Sequence, residues 1–321
     1  MARCSDTGAL IETIRASVIG RDELVPGPFG PRPVVYADYT ASGRSLSFIE
    51  DYISDVVLPL YANTHTESSG TGLQTTRFRE DARQIIAECV GAGDEHAVIF
   101  CGSGSTGAIA KLVGVLGLRI PSTLEDRFDL ASHIPPEQRP VVFIGPYEHH
   151  SNELPWRESI ADVVTIVEDA DGHIDLGQLA DELDRYGDRP QLIGAFSAAS
   201  NVTGIVTDTV AVSSLLHDAG ALALWDYAAA APYVDITMGS ADQGPGYLDA
   251  IVISPHKFIG GPGTPGLLVA RRELFTNRVP DVPGGGTVAY VNPTEHDYLD
   301  SIEHREEGGT PDIIGSIRAG L

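Results

Sequence analysis

The stretch from Ser254 to Gly263 reads SPHKFIGGPG and follows the apolar run AIVI at residues 250–253. Lys257 therefore comes just after a predicted buried strand, with a hydroxyl and an imidazole close to it in sequence and glycines after it. This position suits a reactive amine, because a desolvated lysine can form a Schiff base with a carbonyl cofactor. The alternative, which this stretch alone leaves open, is a surface lysine in a glycine-rich turn.

Similar short apolar runs recur along the chain and alternate with segments of helical composition. They predict strands at residues 97–101, 141–144, 163–167, 192–196, 221–225, 250–253 and 266–270. The segments between them predict helices, among them residues 105–118, 175–186 and 208–219. Continuous apolar strands with helical crossovers are typical of an α/β fold. The sequence thus predicts a mainly parallel seven-stranded sheet with helices on both faces.

Polar residues directly follow five of these strands. They are Ser103–Thr106, Glu148–Asn152, Ser200–Asn201, Asp226 and Ser254–Lys257. In open parallel sheets, ligands bind beyond the carboxyl ends of the strands. We therefore expect these residues to line one crevice.

Composition and charge limit the classes of function. The 321 residues, of which 42% are hydrophobic, suffice for one large α/β domain with an additional piece. The formal net charge of −24 argues against binding of nucleic acid or of an anionic membrane. No apolar run approaches the length of a membrane span, and residues 1–20 lack the apolar core of a signal peptide. We therefore expect a soluble, cytoplasmic protein.

The cysteines and paired histidines do not predict a metal site. Cys4, Cys89 and Cys101 lack the spacing of a zinc site or of a disulfide framework, and Cys89 is expected to be a core thiol of an amphipathic helix. His149 and His150 are adjacent, so on an extended chain they would point to opposite sides. An imidazole stacked on an aromatic cofactor ring fits this motif better than a metal ligand.

Residues 102–107, GSGSTG, match the pattern GxGxxG between a strand and a helix. This match leaves three interpretations open, which are a dinucleotide site, a cradle for one phosphate and a plain helix cap. We favour the phosphate cradle, because helix N–H groups together with the hydroxyls of Ser105 and Thr106 suit an anion.

Asp226 ends an apolar strand, where a carboxylate is costly unless it is paired. It predicts a protonated heteroaromatic nitrogen as its partner, or else an N-cap for the following segment.

Several pieces of sequence occur in collinear order and are more specific together than singly. They are YANTH at 61–65, SGST at 103–106, EHHSNELPW at 148–156, SNVTG at 200–204, Asp226, SPHK at 254–257, GGGT at 284–287 and REEGGTP at 305–311. On these pieces, residues 35–321 resemble the class V aminotransferase superfamily. These enzymes have fold type I and depend on pyridoxal 5′-phosphate (PLP), and the cysteine desulfurases and selenocysteine lyases are the most similar groups.

The resemblance implies a role for each matching residue. Lys257 would hold PLP as a Schiff base, His149 would stack on its ring, and Asp226 would pair with the ring nitrogen. The other cofactor-binding residues would be Gly104, Ser105, Thr106, Asn201, Ser254, His256 and Thr287. Thr287 would reach the phosphate of a neighbouring subunit, which implies a homodimer with shared sites. Asn63 and His65 would contact the substrate.

The sequence departs from the family pattern at two places. Ala229 stands where the desulfurases have a glutamine, three residues after the aspartate that pairs with the ring. The chain also ends before most of the family's C-terminal domain, which carries the catalytic cysteine and an arginine for the substrate carboxylate. We expect an N-terminal helix with a Gly/Pro segment over residues 1–30, a large PLP-binding domain over 31–290, and the start of a truncated C-terminal domain over 291–321.

The expected function is therefore that of a PLP-dependent enzyme acting on a small amino acid. Cysteine desulfuration is the first choice, in which L-cysteine gives L-alanine and the enzyme-bound sulfur passes to an acceptor protein. The alternatives are transamination, β-elimination, epimerisation, or an inactive PLP-binding dimerisation module.

Overall fold

The structure, a computed structural model, describes residues 7–64 and 68–321. Its α-helices are α1 (Thr7–Ser17), α2 (Ser47–Tyr52), α3 (Gly70–Cys89), α4 (Gly104–Val115), α5 (Ser122–Phe128), α6 (Leu154–Arg157), α7 (Leu176–Arg185), α8 (Thr209–Asp218), α9 (Ile302–Glu306) and α10 (Ile313–Gly320). Its strands are β1 (Leu24–Val25), β2 (Arg32–Pro33), β3 (His96–Cys101), β4 (Val141–Ile144), β5 (Asp162–Thr165), β6 (Leu192–Ser197), β7 (Leu222–Asp226), β8 (Ala250–Ile253), β9 (Gly266–Arg271), β10 (Val288–Val291) and β11 (His296–Tyr298).

Seven strands form the central sheet, in the order β3-β9-β8-β7-β6-β4-β5. The pairings among β8, β7, β6, β4 and β5 are parallel, whereas β9 runs antiparallel to both of its neighbours, β3 and β8. The predicted mainly parallel seven-stranded sheet is confirmed. The small sheets β1-β2 and β10-β11 are antiparallel and lie outside it.

Alternate side chains of the strands pack against helices on opposite faces of the sheet. On one face, Val98 and Phe100 of β3 share a buried cluster with side chains of α3, α7 and α8. On the other face, Ala97 and Ile99 share a second cluster with side chains of α4 and with Trp156 of α6. Since successive residues of a strand point to opposite faces, strands that are buried on both faces must be apolar throughout. Helices therefore cover both faces, as predicted.

Helix α3 corrects the prediction for Cys89, whose side chain is exposed. The buried stripe of this helix includes Ala82 and Ile86 and continues four residues later to Val90. Cys89 is the last residue of α3, and its side chain is exposed although it lies three residues after the buried Ile86. The segment is helical, as predicted, but its thiol does not belong to the core.

The C-terminal residues pack against the rest of the chain. Glu307, which follows α9, accepts hydrogen bonds from Arg83 at 2.9 and 3.1 Å and from the N–H of Phe100 at 2.7 Å. Ile313 and Ile317 of α10 lie in a small buried cluster with residues of the α2 region. The predicted domain boundaries at residues 30 and 290 stay predictions. Within residues 7–64 and 68–321, no helix combines the length and apolarity needed to cross a bilayer.

Candidate active site

A cleft of about 420 Å³ opens at the edge of the sheet where the parallel strands end. The predicted site residues that line it are Gly104, Ser105, Thr106, His149, Asn201, Asp226, Ser254, His256 and Lys257. They come from the ends of β3, β4, β6, β7 and β8, or from the loops that follow these strands. The structure thus brings five separate segments of the chain into one crevice, as expected for ligand sites in open parallel sheets.

The start of α4 forms one end of this cleft. Gly104 adopts a positive φ of 54°, and the N–H of Ser105 donates to Ser254 Oγ at 2.8 Å. The Ser254 hydroxyl lies 3.1 Å from Ser105 Oγ. This couples the first turn of α4 to the loop after β8. Hydroxyls and N–H groups at the beginning of a helix form a site that suits a phosphate.

Close approach of β9 makes a glycine necessary beside this turn. A Cβ at Gly266 would lie 1.9 Å from the carbonyl oxygen of Gly104. Any larger residue there would push α4 away from the sheet. The N–H of Gly266 donates to the oxygen of Gly102 at 2.9 Å, which fixes the loop that leads into α4.

Asp226 is the last residue of β7 and is 5% exposed. Its Oδ1 accepts the N–H of Ala228 at 2.8 Å, and no residue among 7–64 and 68–321 forms an ion pair with it within 4.0 Å. Burial raises the pKa of Asp226, while the Ala228 N–H and the charges of Lys257 and His149 lower it. A buried carboxylate with so few partners can bind a cationic N–H group of a ligand.

Lys257 ends a single 3₁₀ turn, Pro255–Lys257, directly after β8. Burial lowers the pKa of its amine, and the nearby charge of Asp226 opposes that shift. Burial and the charge of Lys257 also lower the pKa of His256. The sequence contains one other lysine, Lys111, which is buried and whose Nζ lies 3.5 Å from a carboxylate oxygen of Glu306. Lys257 is thus the lysine that reaches the cleft.

Two predicted site residues that the structure describes, Thr287 and Asn63, do not line the cleft of this chain. Thr287 is completely buried, and its hydroxyl donates to the carbonyl oxygen of Gly284 at 2.6 Å. The expectation that Thr287 reaches the phosphate of a neighbouring subunit stays a prediction. Asn63 is exposed, away from the cleft lining. His65 lies outside the described residues.

Glu148 contacts the cleft lining through Ser197, and the sequence motifs assigned it no role. Its carboxylate accepts the N–H of Ser197 at 2.9 Å, the hydroxyl of Ser197 at 2.6 Å and the amide of Asn152 at 2.7 Å. Burial raises the pKa of Glu148 to about 7, although these three donors lower it. Ser197 in turn faces Asp226 in the register of β6 and β7. Glu148 does stand in the motif EHHSN, but the contact with Ser197 depends on the sheet order.

Residues 38–43 form a segment across the cleft that the sequence did not predict. Asp38, Thr40 and Ala41 line the cleft, and the N–H of Gly43 donates to the carbonyl oxygen of His256 at 2.8 Å. A Cβ at Gly43 would lie 1.8 Å from the carbonyl oxygen of Phe258, so only glycine allows this approach. The segment has no helix or strand, and therefore no periodic pattern of apolar residues could predict it.

The two described thiols lie away from the reactive end of the cleft. Cys101 is buried in β3, and burial raises the pKa of its thiol to about 12. Cys89 is exposed at the end of α3, and neither residue belongs to the cleft lining. Over the described ranges, no group of three or more His, Cys, Asp or Glu side chains is arranged to hold a metal ion.

Comparison with known proteins places this geometry in a family context. The family model described as Aminotransferase class-V matches residues 35–321. A probable cysteine desulfurase of Pyrococcus abyssi is 25% identical over 289 residues, which are 88% of this chain and 65% of that protein. A cysteine desulfurase of Klebsiella pneumoniae is 27% identical over 314 residues, or 97% of this chain and 70% of that protein. The chain therefore spans about two thirds of the length of these relatives.

The fold is shared with solved structures. The apo structure of cysteine desulfurase from Thermococcus onnurineus NA1 superimposes with a TM-score of 0.74 at 22% identity, covering 96% of this chain and 68% of that chain. At this level of identity the likeness concerns the fold alone.

Proposed function

Since the chain belongs to the class V aminotransferase family, we propose that it binds PLP at Lys257 and acts on an amino acid, with cysteine desulfuration as the first choice. The observation that carries the proposal is the convergence of Lys257, Asp226, His149 and the α4 turn on one cleft. The named relatives, which are cysteine desulfurases or probable cysteine desulfurases, favour cysteine as the substrate.

The residues of the cleft fit this cofactor at both of its ends. The first turn of α4 and Ser254 provide hydroxyls and N–H groups for a phosphate. At the other end, Asp226 is a buried carboxylate with a single N–H donor, and a protonated ring nitrogen would supply the charged donor that it lacks. When bound, PLP would supply an electron sink for the charge that develops at the substrate Cα.

The amine of Lys257 is suited to two tasks in such a reaction. Because burial lowers its pKa, a larger share of the amine is neutral and can bind a carbonyl carbon at neutral pH. Once released by the substrate amine, the same Nζ can accept the Cα proton. Asp226 would keep its charge-assisted bond throughout, while the segment from Asp38 to Ala41 would border the substrate.

Desulfuration also needs a thiol nucleophile, and this requirement separates the candidates. Cys101 is buried with its pKa raised to about 12, which disfavours the thiolate. Ala229 lines the cleft at the position where the desulfurases have a glutamine, which favours transamination or β-elimination as a second candidate. A homodimer with shared sites, a sulfur-acceptor partner and a cytoplasmic location stay predictions from the sequence.

Covalent trapping tests the proposal directly, because the chain contains two lysines. The purified protein is incubated with PLP, reduced with sodium borohydride, digested and mapped by mass spectrometry. We expect the pyridoxyl mass on the peptide with Lys257 and its loss in Lys257→Ala. An adduct confined to Lys111, or none at all, would overturn the proposed site.

Product analysis then separates the reactions. Incubation with L-cysteine should give alanine and, with a thiol reductant, sulfide. Pyruvate with sulfide would instead indicate β-elimination, and an aminated keto acid would indicate transamination. If PLP is trapped at Lys257 but no amino acid is converted, the desulfurase proposal fails and the cofactor proposal stands.

A further inference from the structure

The loop after β4 holds the imidazole of His149 in a defined protonation pattern. The N–H of Ser151 lies 3.1 Å from His149 Nδ1. A backbone N–H can only donate, so Nδ1 must accept. A neutral imidazole with one accepting nitrogen carries its proton on the other, which here is Nε2. None of the described residues forms a hydrogen bond with Nε2, so the Nε2–H is left for a ligand.

The hydroxyl of Ser151 extends this contact to the other end of the cleft. Ser151 Oγ lies 3.1 Å from His149 Nδ1 and 2.7 Å from Thr106 Oγ1. A hydroxyl can donate one hydrogen bond and still accept. Ser151 can therefore donate to Nδ1 while it accepts from Thr106. A chain of polar atoms thus joins the first turn of α4 to the imidazole.

Packing does not fix the ring of His149. The residue is exposed, and the neighbouring ring of His150 lies 6.1 Å away at an interplanar angle of 48°. An exposed side chain keeps its rotamer freedom unless specific contacts remove it. The two contacts from residue 151 are therefore what orients the imidazole.

We propose that Ser151 is a positioning residue, which holds His149 as an acceptor at Nδ1 and ties it to Thr106 so that both ends of the cleft keep a fixed spacing. The inference rests on the proposed function for the identity of the ligand, because Thr106 and His149 stand at its proposed phosphate and ring ends. The pattern of protonation itself belongs to the protein without any ligand, and it can be measured there.

The first test uses the cofactor-free protein with ¹⁵N-labelled histidine rings. Long-range ¹H–¹⁵N correlation spectra report which ring nitrogen carries the proton, and His149→Gln assigns the signal. His133 serves as an internal reference, because its Nδ1 lies 2.9 Å from the carbonyl oxygen of Asp129 and must donate. We expect the Nε2–H form for His149 and the Nδ1–H form for His133. A protonated Nδ1 in neutral His149 would overturn the inference.

The second test removes the hydroxyl. Ser151→Ala should lower the ratio of Nε2–H to Nδ1–H forms of His149 by about fivefold, as expected for the loss of one ordinary hydrogen bond. It should weaken PLP binding by a similar factor, and Ser151→Thr should restore both values. Ser132→Ala is the matched control, since Ser132 Oγ lies 3.3 Å from His133 Nδ1 on another exposed loop, and it should leave His149 and PLP binding unchanged.

The two readouts keep this inference apart from the proposed function. If the ratio shifts in Ser151→Ala but Lys257 traps no PLP, the positioning role survives and the proposed function fails. If PLP is trapped at Lys257 but Ser151→Ala changes neither the ratio nor the binding, the positioning role is refuted alone. A shifted ratio with unchanged PLP binding in a trapping-competent protein would refute the link to the ligand.

Discussion

Replacing Asp226 by asparagine should stabilise the cofactor-free protein and weaken its hold on the cofactor. The carboxylate is 5% exposed and accepts one N–H at 2.8 Å. Asparagine keeps that acceptor, and its amide faces a cleft that water can enter. Removing a poorly paired buried charge should therefore raise the free energy of unfolding by about 1–2 kcal/mol. Loss of a charge-assisted bond to a ring nitrogen should weaken PLP binding by about 10- to 100-fold.

Asp249 provides the matched control, because it is equally buried but fully paired. It is 1% exposed and accepts hydrogen bonds from His217 at 2.8 Å, from the N–H of Ala223 at 2.7 Å and from Arg271 at 3.4 Å. Asp249→Asn leaves these donors without a charged partner and should lower the free energy of unfolding by about 3–5 kcal/mol. The same chemical change is thus expected to have opposite signs at the two sites.

The assay is urea unfolding of both variants and the wild type, without cofactor and with saturating PLP. The sign of the pH effect follows from linkage. The pKa of Asp226 is higher in the folded state than in the unfolded state. The wild type therefore loses stability as the pH rises from the unfolded-state pKa of Asp226 to its folded-state pKa. The advantage of Asp226→Asn should therefore be complete above the folded-state pKa of Asp226 and should fade as the pH falls towards its unfolded-state pKa. Equal destabilisation by both substitutions would refute the reasoning, because it would mean that Asp226 is paired.

Three further outcomes are expected. Gly104→Ala forces alanine into φ 54°, so it should cost about 1–2 kcal/mol of stability and weaken PLP retention, measured by dialysis. Burial raises the pKa of Glu148 from 4.5 to about 7. Its stabilising contribution is therefore complete below pH 4.5 and is lost as the pH rises to about 7. Relative to Glu148→Gln, the wild type should lose about 3 kcal/mol across that interval in urea titrations. Glu307→Gln breaks a buried pair with Arg83 and should cost about 3–5 kcal/mol in unfolding, whereas Glu12→Gln, in an exposed pair, should cost under about 1 kcal/mol.

Sequence patterns predicted the strands well, because burial on both faces of a sheet requires uninterrupted apolar runs. The run at 250–253 became β8 with the same bounds, and the run at 266–270 became β9. The direction of β9 could not be predicted, since an apolar run has the same pattern in a parallel and an antiparallel pairing. Its antiparallel course between β3 and β8 brings Gly266 against Gly104 and so helps to shape the α4 turn.

The site was predictable where its residues follow strands and unpredictable where they lie in irregular segments. Asp38 and Thr40 reach the cleft from a segment without helix or strand, which is held by contacts with distant residues such as His256. Such contacts are decided by tertiary folding, and neither residue type nor spacing encodes them.

The two buried aspartates show which part of the prediction has a physical basis. Asp226 ends β7 and Asp249 immediately precedes β8, and these strands are neighbours in the sheet. Both aspartates adjoin apolar runs in the sequence, yet they lie at opposite edges of the sheet. The chain closes the amino-terminal edge with its own groups, and His217, Ala223 and Arg271 satisfy Asp249 there. At the carboxyl-terminal edge Asp226 keeps one N–H donor. Whether a carboxylate comes before or after its strand therefore indicates whether the protein or a ligand completes its bonding.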